Sequence, residues 1–127
     1  MSFNHVVVWI DHVEAHVIHF NRDGKDNETV TTHSTHPHLH VKAGTIGSGR
    51  APENAHFFDD VAKAIDDSQE ILVVGPGLEK LVFTKYLMKH HPLVADKILS
   101  VETVDHPTDN QLVAFAKRYF EKADRMR

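Results

Sequence analysis

The chain has 127 residues, 14 of them Lys or Arg and 18 Asp or Glu, for a net charge of −4 at pH 7 with histidine neutral. That length reads as a single domain, residues 1–127, which buries roughly 65–70% of its unfolded surface and so holds a core without staples. Without cysteine there are no disulfides, thiolate zinc sites or thiol nucleophiles, and the acidic balance argues against coating nucleic acid through bulk charge while leaving a local basic patch open.

The first twelve residues, MSFNHVVVWIDH, hold only five consecutive apolar residues and no basic flank. They read as neither a secretory signal nor a membrane span, and a cytoplasmic protein is the default expectation. His5 to Asp11 forms a strand, and Asp11-His12-Val13-Glu14 turns the chain into a second strand, about Glu14 to Phe20. So short a connection makes the two antiparallel. The turn formers Asn21 to Asn27, with Gly24 among them, predict a second hairpin. Strand three, Glu28 to Ser34, is rich in threonine and suits a sheet edge. Thr35 to Ala43 extends it or adds a short strand, with Pro37 limiting regular pairing.

Gly44 to Arg50, GTIGSGR, is a glycine-rich connector. A helix follows from Pro52 or Asn54 to Ser68, with Phe57, Phe58, Val61, Ala62 and Ile65 on one core stripe. Glu70 to Gly77, EILVVGPG, runs four apolar residues straight into turn residues, which reads as a central strand covered on both faces. A helix from Leu78 to His90 comes next, ended by Pro92, and then a strand from Lys97 to Thr103. The last helix starts at Thr108, where Thr108 and Gln111 match a capping box. Leu112, Val113, Ala116, Tyr119 and Phe120 are its core stripe, and Glu121 to Arg127 is expected to fray. The order βββαβαβα predicts an α/β fold, a mixed five-stranded sheet flanked by helices. Ligands of such sheets gather outside the carboxyl ends of central strands, which points to Asp11, His12 and the Gly75–Gly77 turn.

Three further stretches could carry chemistry. Lys42, Gly44, Gly47, Ser48, Gly49 and Arg50 precede a helix amino end, where free backbone amides and the helix dipole attract phosphate. The spacing comes near a P-loop but lacks its Lys-Ser/Thr pair, so the loop is either a phosphate contact or a plain connector. His36, His38 and His40 share one face of an extended segment that also holds His33. They could ligate zinc, nickel or copper, or simply blunt an edge. Asp11, and Glu102, Asp105 and Asp109 near the end of the last strand, stand at strand ends, where a nuclease would hold magnesium, although Asp11 also suits a hairpin turn and Asp109 a helix first turn.

The segments VVWIDHVEAHV, HLHVKAGTIGSGRAPE, EILVVGPGLEKLVFTKYL and VETVDHPTDNQLVAFAKRYF carry a resemblance. The chain resembles the central domain of the class 1 release factor of eukaryotes and archaea and of its relative Pelota. It resembles more closely the small bacterial proteins known as translational machinery proteins. The resemblance implies a ribonuclease H-like fold and a place at the ribosome or on tRNA. In the release factor, the loop before the first helix carries Gly-Gly-Gln for peptidyl-tRNA hydrolysis. Here the comparable loop, Ala43 to Arg50, has no glutamine, which argues against peptide release and sides with Pelota. The codon-reading and partner-binding domains of those families do not fit in 127 residues.

The leading expectation is thus a non-catalytic cytoplasmic module that contacts ribosomal RNA or tRNA through Lys42 and Gly44–Arg50, with no required cofactor and no membrane. One alternative is a metal-dependent nuclease or phosphoesterase using Asp11 with Asp105 or Asp109 and magnesium, or the His36–His40 face and zinc. Another is a structural domain forming a homodimer through a strand edge. Twelve histidines, whose ordinary pKa is about 6.5, should raise any polyanion affinity on mild acidification.

Overall fold

The computed structural model describes residues 5–20, 25–31 and 52–125. The histidine tract and the Lys42 to Arg50 stretch lie outside these residues. Within them the elements run β1 (His5–Ile10), β2 (Glu14–Phe20), β3 (Lys25–Thr31), α1 (Pro52–Ile65), β4 (Glu70–Gly75), α2 (Glu79–His90), α3 (Pro92–Ala95), β5 (Ile98–Thr103) and α4 (Asp109–Arg125).

The five strands form one mixed sheet in the order β3-β2-β1-β4-β5. β1 is antiparallel to β2 and β2 to β3, while β1 and β4, and β4 and β5, are parallel. The hairpin connections are short, whereas each parallel step is bridged by helix, as backbone reach requires. β1 and β4 lie side by side at the centre, and their runs of Val and Ile without polar alternation fit burial on both faces.

One face of the sheet, with Val6, Val8, Ile10, Ala15, Val17, Ile71 and Val73, packs on α1 through Phe57, Phe58, Val61 and Ile65 and on α2 through Phe83 and Leu87. The other, with Val7, Trp9, Ile18, Phe20, Leu72 and Val74, packs on α4 through Leu112, Val113, Ala116 and Phe120. Each buried aliphatic side chain stabilises the fold by about 1.5–3 kcal/mol relative to exposure. At the carboxyl end of β4, glycine is required by close approach. A Cβ on Gly75 would lie 2.4 Å from the Ile10 carbonyl oxygen, so any side chain there would push the two central strands apart.

The structure moves several expected boundaries. β3 begins at Lys25, not Glu28, because β2 offers ladder partners to its last residue: Phe20 faces Lys25, His19 faces Asp26 and Ile18 faces Asn27. Pairing there overrides the weak strand preference of Asp and Asn. α1 stops at Ile65, where the Ser68 amide closes back on the Ile65 carbonyl at 3.2 Å. Pro92 ends α2 as expected but also opens the short α3, a position where its missing N–H costs nothing. The sequence expected the helix to loosen from Glu121 to Arg127, of which residues 126–127 lie outside the described residues. α4 is helical to Arg125, and Phe120, just before Glu121, is buried. The capping box is formed: the Thr108 amide donates to Gln111 Oε1 at 3.0 Å and the Gln111 amide to Thr108 Oγ1 at 3.1 Å.

Candidate functional site

At the carboxyl ends of β1 and β4 the chain leaves in opposite directions, from β1 back into β2 and from β4 outward into α2. Asp11 shapes the first departure. Its Oδ1 accepts the Val13 and Glu14 amides, each at 2.9 Å, and its own amide donates to the Glu14 carbonyl at 3.0 Å. The carboxylate thus acts as the turn residue that the sequence allowed. The turn sets His12 against the first turn of α2, with Nδ1 3.1 Å from Glu79 Oε1.

Glu79 is buried, whereas the His12 side chain is 83% exposed. Burial pushes the Glu79 carboxyl above its ordinary range, His12 pulls it back through charge and hydrogen bonding, and the Asp11 charge adds a smaller upward push. Lys80, also buried, donates its ammonium to the Gly77 carbonyl. The result is a buried acid with an exposed imidazole over it, a pair able to share a proton and offer a hydrogen bond to a ligand. The sequence pointed to Asp11, His12 and the glycine turn. It did not single out Glu79 and Lys80, because an EK dipeptide opening a helix normally reads as solvated surface.

On the α4 side a second group surrounds Trp9. Its Nε1 donates to the Asp105 carbonyl at 2.7 Å, and its ring meets His16 edge-on at 5.6 Å and His106 at 5.1 Å. His16 Nε2 lies 3.0 Å from Glu14 Oε2, and Nδ1 lies 3.6 Å from Asp109 Oδ1. Asn27 Nδ2 donates to Asp109 Oδ2 at 3.2 Å, and the exposed Asp105 carboxylate sits 3.0 Å from His106 Nδ1. Asp11, Asp105 and Asp109 therefore each have a different partner: turn amides, His106, and His16 with Asn27. Among the described residues no group of three or more His, Asp or Glu side chains is arranged to hold a metal ion. His36, His38, His40 and the stretch from Lys42 through Gly44, Gly47, Ser48 and Gly49 to Arg50 lie outside those residues.

A third group escaped sequence reasoning. Asp59 Oδ1 on α1 accepts the Tyr86 hydroxyl at 2.7 Å and lies 2.8 Å from His91 Nε2. Burial alone would raise the Asp59 carboxyl, but the His91 and Tyr86 hydrogen bonds and the charges of His91 and His56 outweigh it and hold it low. Burial, and then the bond to Asp59 and its charge, push the Tyr86 phenol up to about 12. Beside the group runs a groove of about 940 Å³ lined by Asp59, Lys63, His91, Leu93, Val94 and Lys97. These contacts join residues 27 and 32 positions apart, and no local spacing announces them.

No family model matches the sequence, and no curated relative does. Solved structures do match. Archaeoglobus fulgidus Pelota is 19% identical over 93% of this chain, with a TM-score of 0.64. The archaeal translation termination factor aRF1 is 13% identical over 83%, at 0.57, and Saccharomyces cerevisiae Dom34 is 11% identical over 90%, at 0.57. At such identities the likeness is one of fold. The chain spans about a third of each of those proteins: 32%, 31% and 32%.

Proposed function

We propose that this chain is a non-catalytic module of the translation machinery that contacts RNA phosphate, on the ribosome or on tRNA, through Lys42 and Gly44–Arg50. The observation that carries this reading is the likeness of fold, over 83–93% of the chain, to Pelota and to an archaeal translation termination factor. Dom34, of the same fold, is a translation termination-like factor involved in RNA quality control pathways.

The sequence supplies a chemistry suited to that role. From Lys42 to Arg50 there are two cations, three glycines and no carboxylate, followed at once by the amino end of α1 at Pro52. A helix amino end carries unpaired amides and a partial positive charge, both favourable to phosphate. With no glutamine in the stretch, binding without peptidyl-tRNA hydrolysis is the consistent reading.

The test is ribosome co-sedimentation and RNA filter binding by the Lys42→Ala/Arg50→Ala variant across a salt series. Affinity should fall, and the slope of log affinity against log salt should flatten by up to about two, roughly one for each lost phosphate contact. Unchanged affinity and slope would remove the reading.

A further inference from the structure

α2 is apolar on two sides. Phe83 and Leu87 are fully buried against α1 and the sheet, whereas Leu78, Leu81, Val82 and Met88 are 71, 45, 48 and 64% exposed. At 3.6 residues per turn those four fall on one outer stripe, and Leu93 in α3 is also 78% exposed. Five of the seven large apolar side chains exposed among the described residues lie between Leu78 and Leu93. Scattered single exposures are ordinary, but a cluster of this kind on a helix whose other side is already buried marks a contact surface.

Charge narrows the partner. From Leu78 to Leu93 the sole carboxylate is Glu79, which is buried and faces His12, while Lys85 and Lys89 are exposed within the apolar stripe. We infer that the outer face of α2 docks an acidic amphipathic segment of another protein. Its apolar anchors lie on Leu78, Leu81, Val82 and Met88, and its carboxylates meet Lys85 and Lys89. The back of α2 is held by Phe83, Leu87 and the Tyr86–Asp59 hydrogen bond, so the surface is formed in advance and little ordering opposes binding.

Other occupants fit less well. A second copy docked face to face about a two-fold axis through the stripe would set each Lys85, near its middle, against its own mate. Single-stranded RNA stacks its bases on aromatic rings and arginines, and this stretch has no arginine and no exposed Phe, Tyr or Trp ring. Helices that lie in a lipid surface keep their Lys and Arg on a polar face apart from the apolar one, whereas here Lys85 and Lys89 sit within the apolar stripe. The surface is also separate in sequence from Lys42 and Arg50, so its failure and that of RNA binding are distinguishable.

The experiment titrates the full 127-residue protein into a labelled helical peptide of about 16 residues, with Leu at i, i+3, i+4 and i+7 spacing and Glu at the flanks. A counterpart with Lys for each Glu is the control, and fluorescence anisotropy is the readout. The acidic peptide should bind saturably. Leu81→Glu/Met88→Glu should weaken it at least about tenfold, and Lys85→Glu/Lys89→Glu should weaken it several-fold while turning preference toward the basic peptide. If the first pair disturbs folding by circular dichroism, the lysine pair carries the test. Equal binding of the two peptides, or binding unchanged by both variant pairs, overturns the proposal. So does self-association in light scattering, or attachment to anionic vesicles, that these substitutions abolish.

Discussion

α2 and α4 cover opposite faces of one sheet, and they do so differently. α4 confines its buried residues, Leu112, Val113, Ala116 and Phe120, to one stripe and turns polar residues such as Gln111, Lys117, Arg118 and Lys122 outward. α2 buries Phe83 and Leu87 yet leaves Leu78, Leu81, Val82 and Met88 outside. A helix of the first kind is satisfied by its own core. One of the second kind has apolar surface to spare after the fold is complete, and that surplus is where a partner gains from burial.

The comparison breaks most easily across α2 itself. Phe83→Ala should destabilise the protein by about 3–5 kcal/mol, while Met88→Ser should stay within about 0.5 kcal/mol. Urea unfolding of both variants checks this, and equal losses would mean that the outer stripe is core.

Gly75→Ala tests the β1–β4 pair that both helices cover. The added Cβ meets backbone rather than a flexible side chain, so a loss of about 1–3 kcal/mol is expected, read from the denaturation midpoint. A neutral result would show that the strands can part without cost. Thr108→Ala removes the hydroxyl that caps α4 and should lower stability by about 1 kcal/mol, with α4 amides exchanging hydrogen faster.

The smallest effects distinguish two carboxylates on the α2 side. Asp59 titrates below its ordinary value when folded, so its contribution is present above the unfolded pKa and is lost as pH falls through the folded one. Asp59→Asn should therefore be less stable than the parent at pH 7, with the gap closing in acid. Glu79 is shifted upward, so its contribution is complete below the unfolded pKa and lost as pH rises through the folded one. Glu79→Gln should equal or exceed the parent at pH 7, its advantage vanishing in acid. Melting curves from pH 3 to pH 7 in buffers of constant ionic strength, at spacings of about one unit, test both signs.

Much of this was legible in the chain. Unbroken apolar runs marked β1 and β4, and the Phe57-Phe58-Val61-Ala62-Ile65 stripe marked α1. Thr108 and Gln111 announced the start of α4 through a local exchange of hydrogen bonds. Asp11 and His12 were placed at the carboxyl ends of the central strands by topology alone. Less legible was the split personality of α2. In sequence its apolar residues go round the cylinder, and only the packed neighbours tell which of them are left outside. The start of β3 was missed because its turn-forming residues are recruited by the partner strand.

The order and type of the elements other than the short α3, the two-faced burial of the central strands and the cap of α4 follow from residues close together in the chain, since periodicity and capping act over a turn or a few residues. The partners of Asp59, the burial of Glu79 beneath His12 and the bond from Trp9 to the Asp105 carbonyl were decided by tertiary structure. Such contacts depend on how sheet and helices close upon one another, and no local pattern encodes which distant side chains then meet or which greasy face is left uncovered.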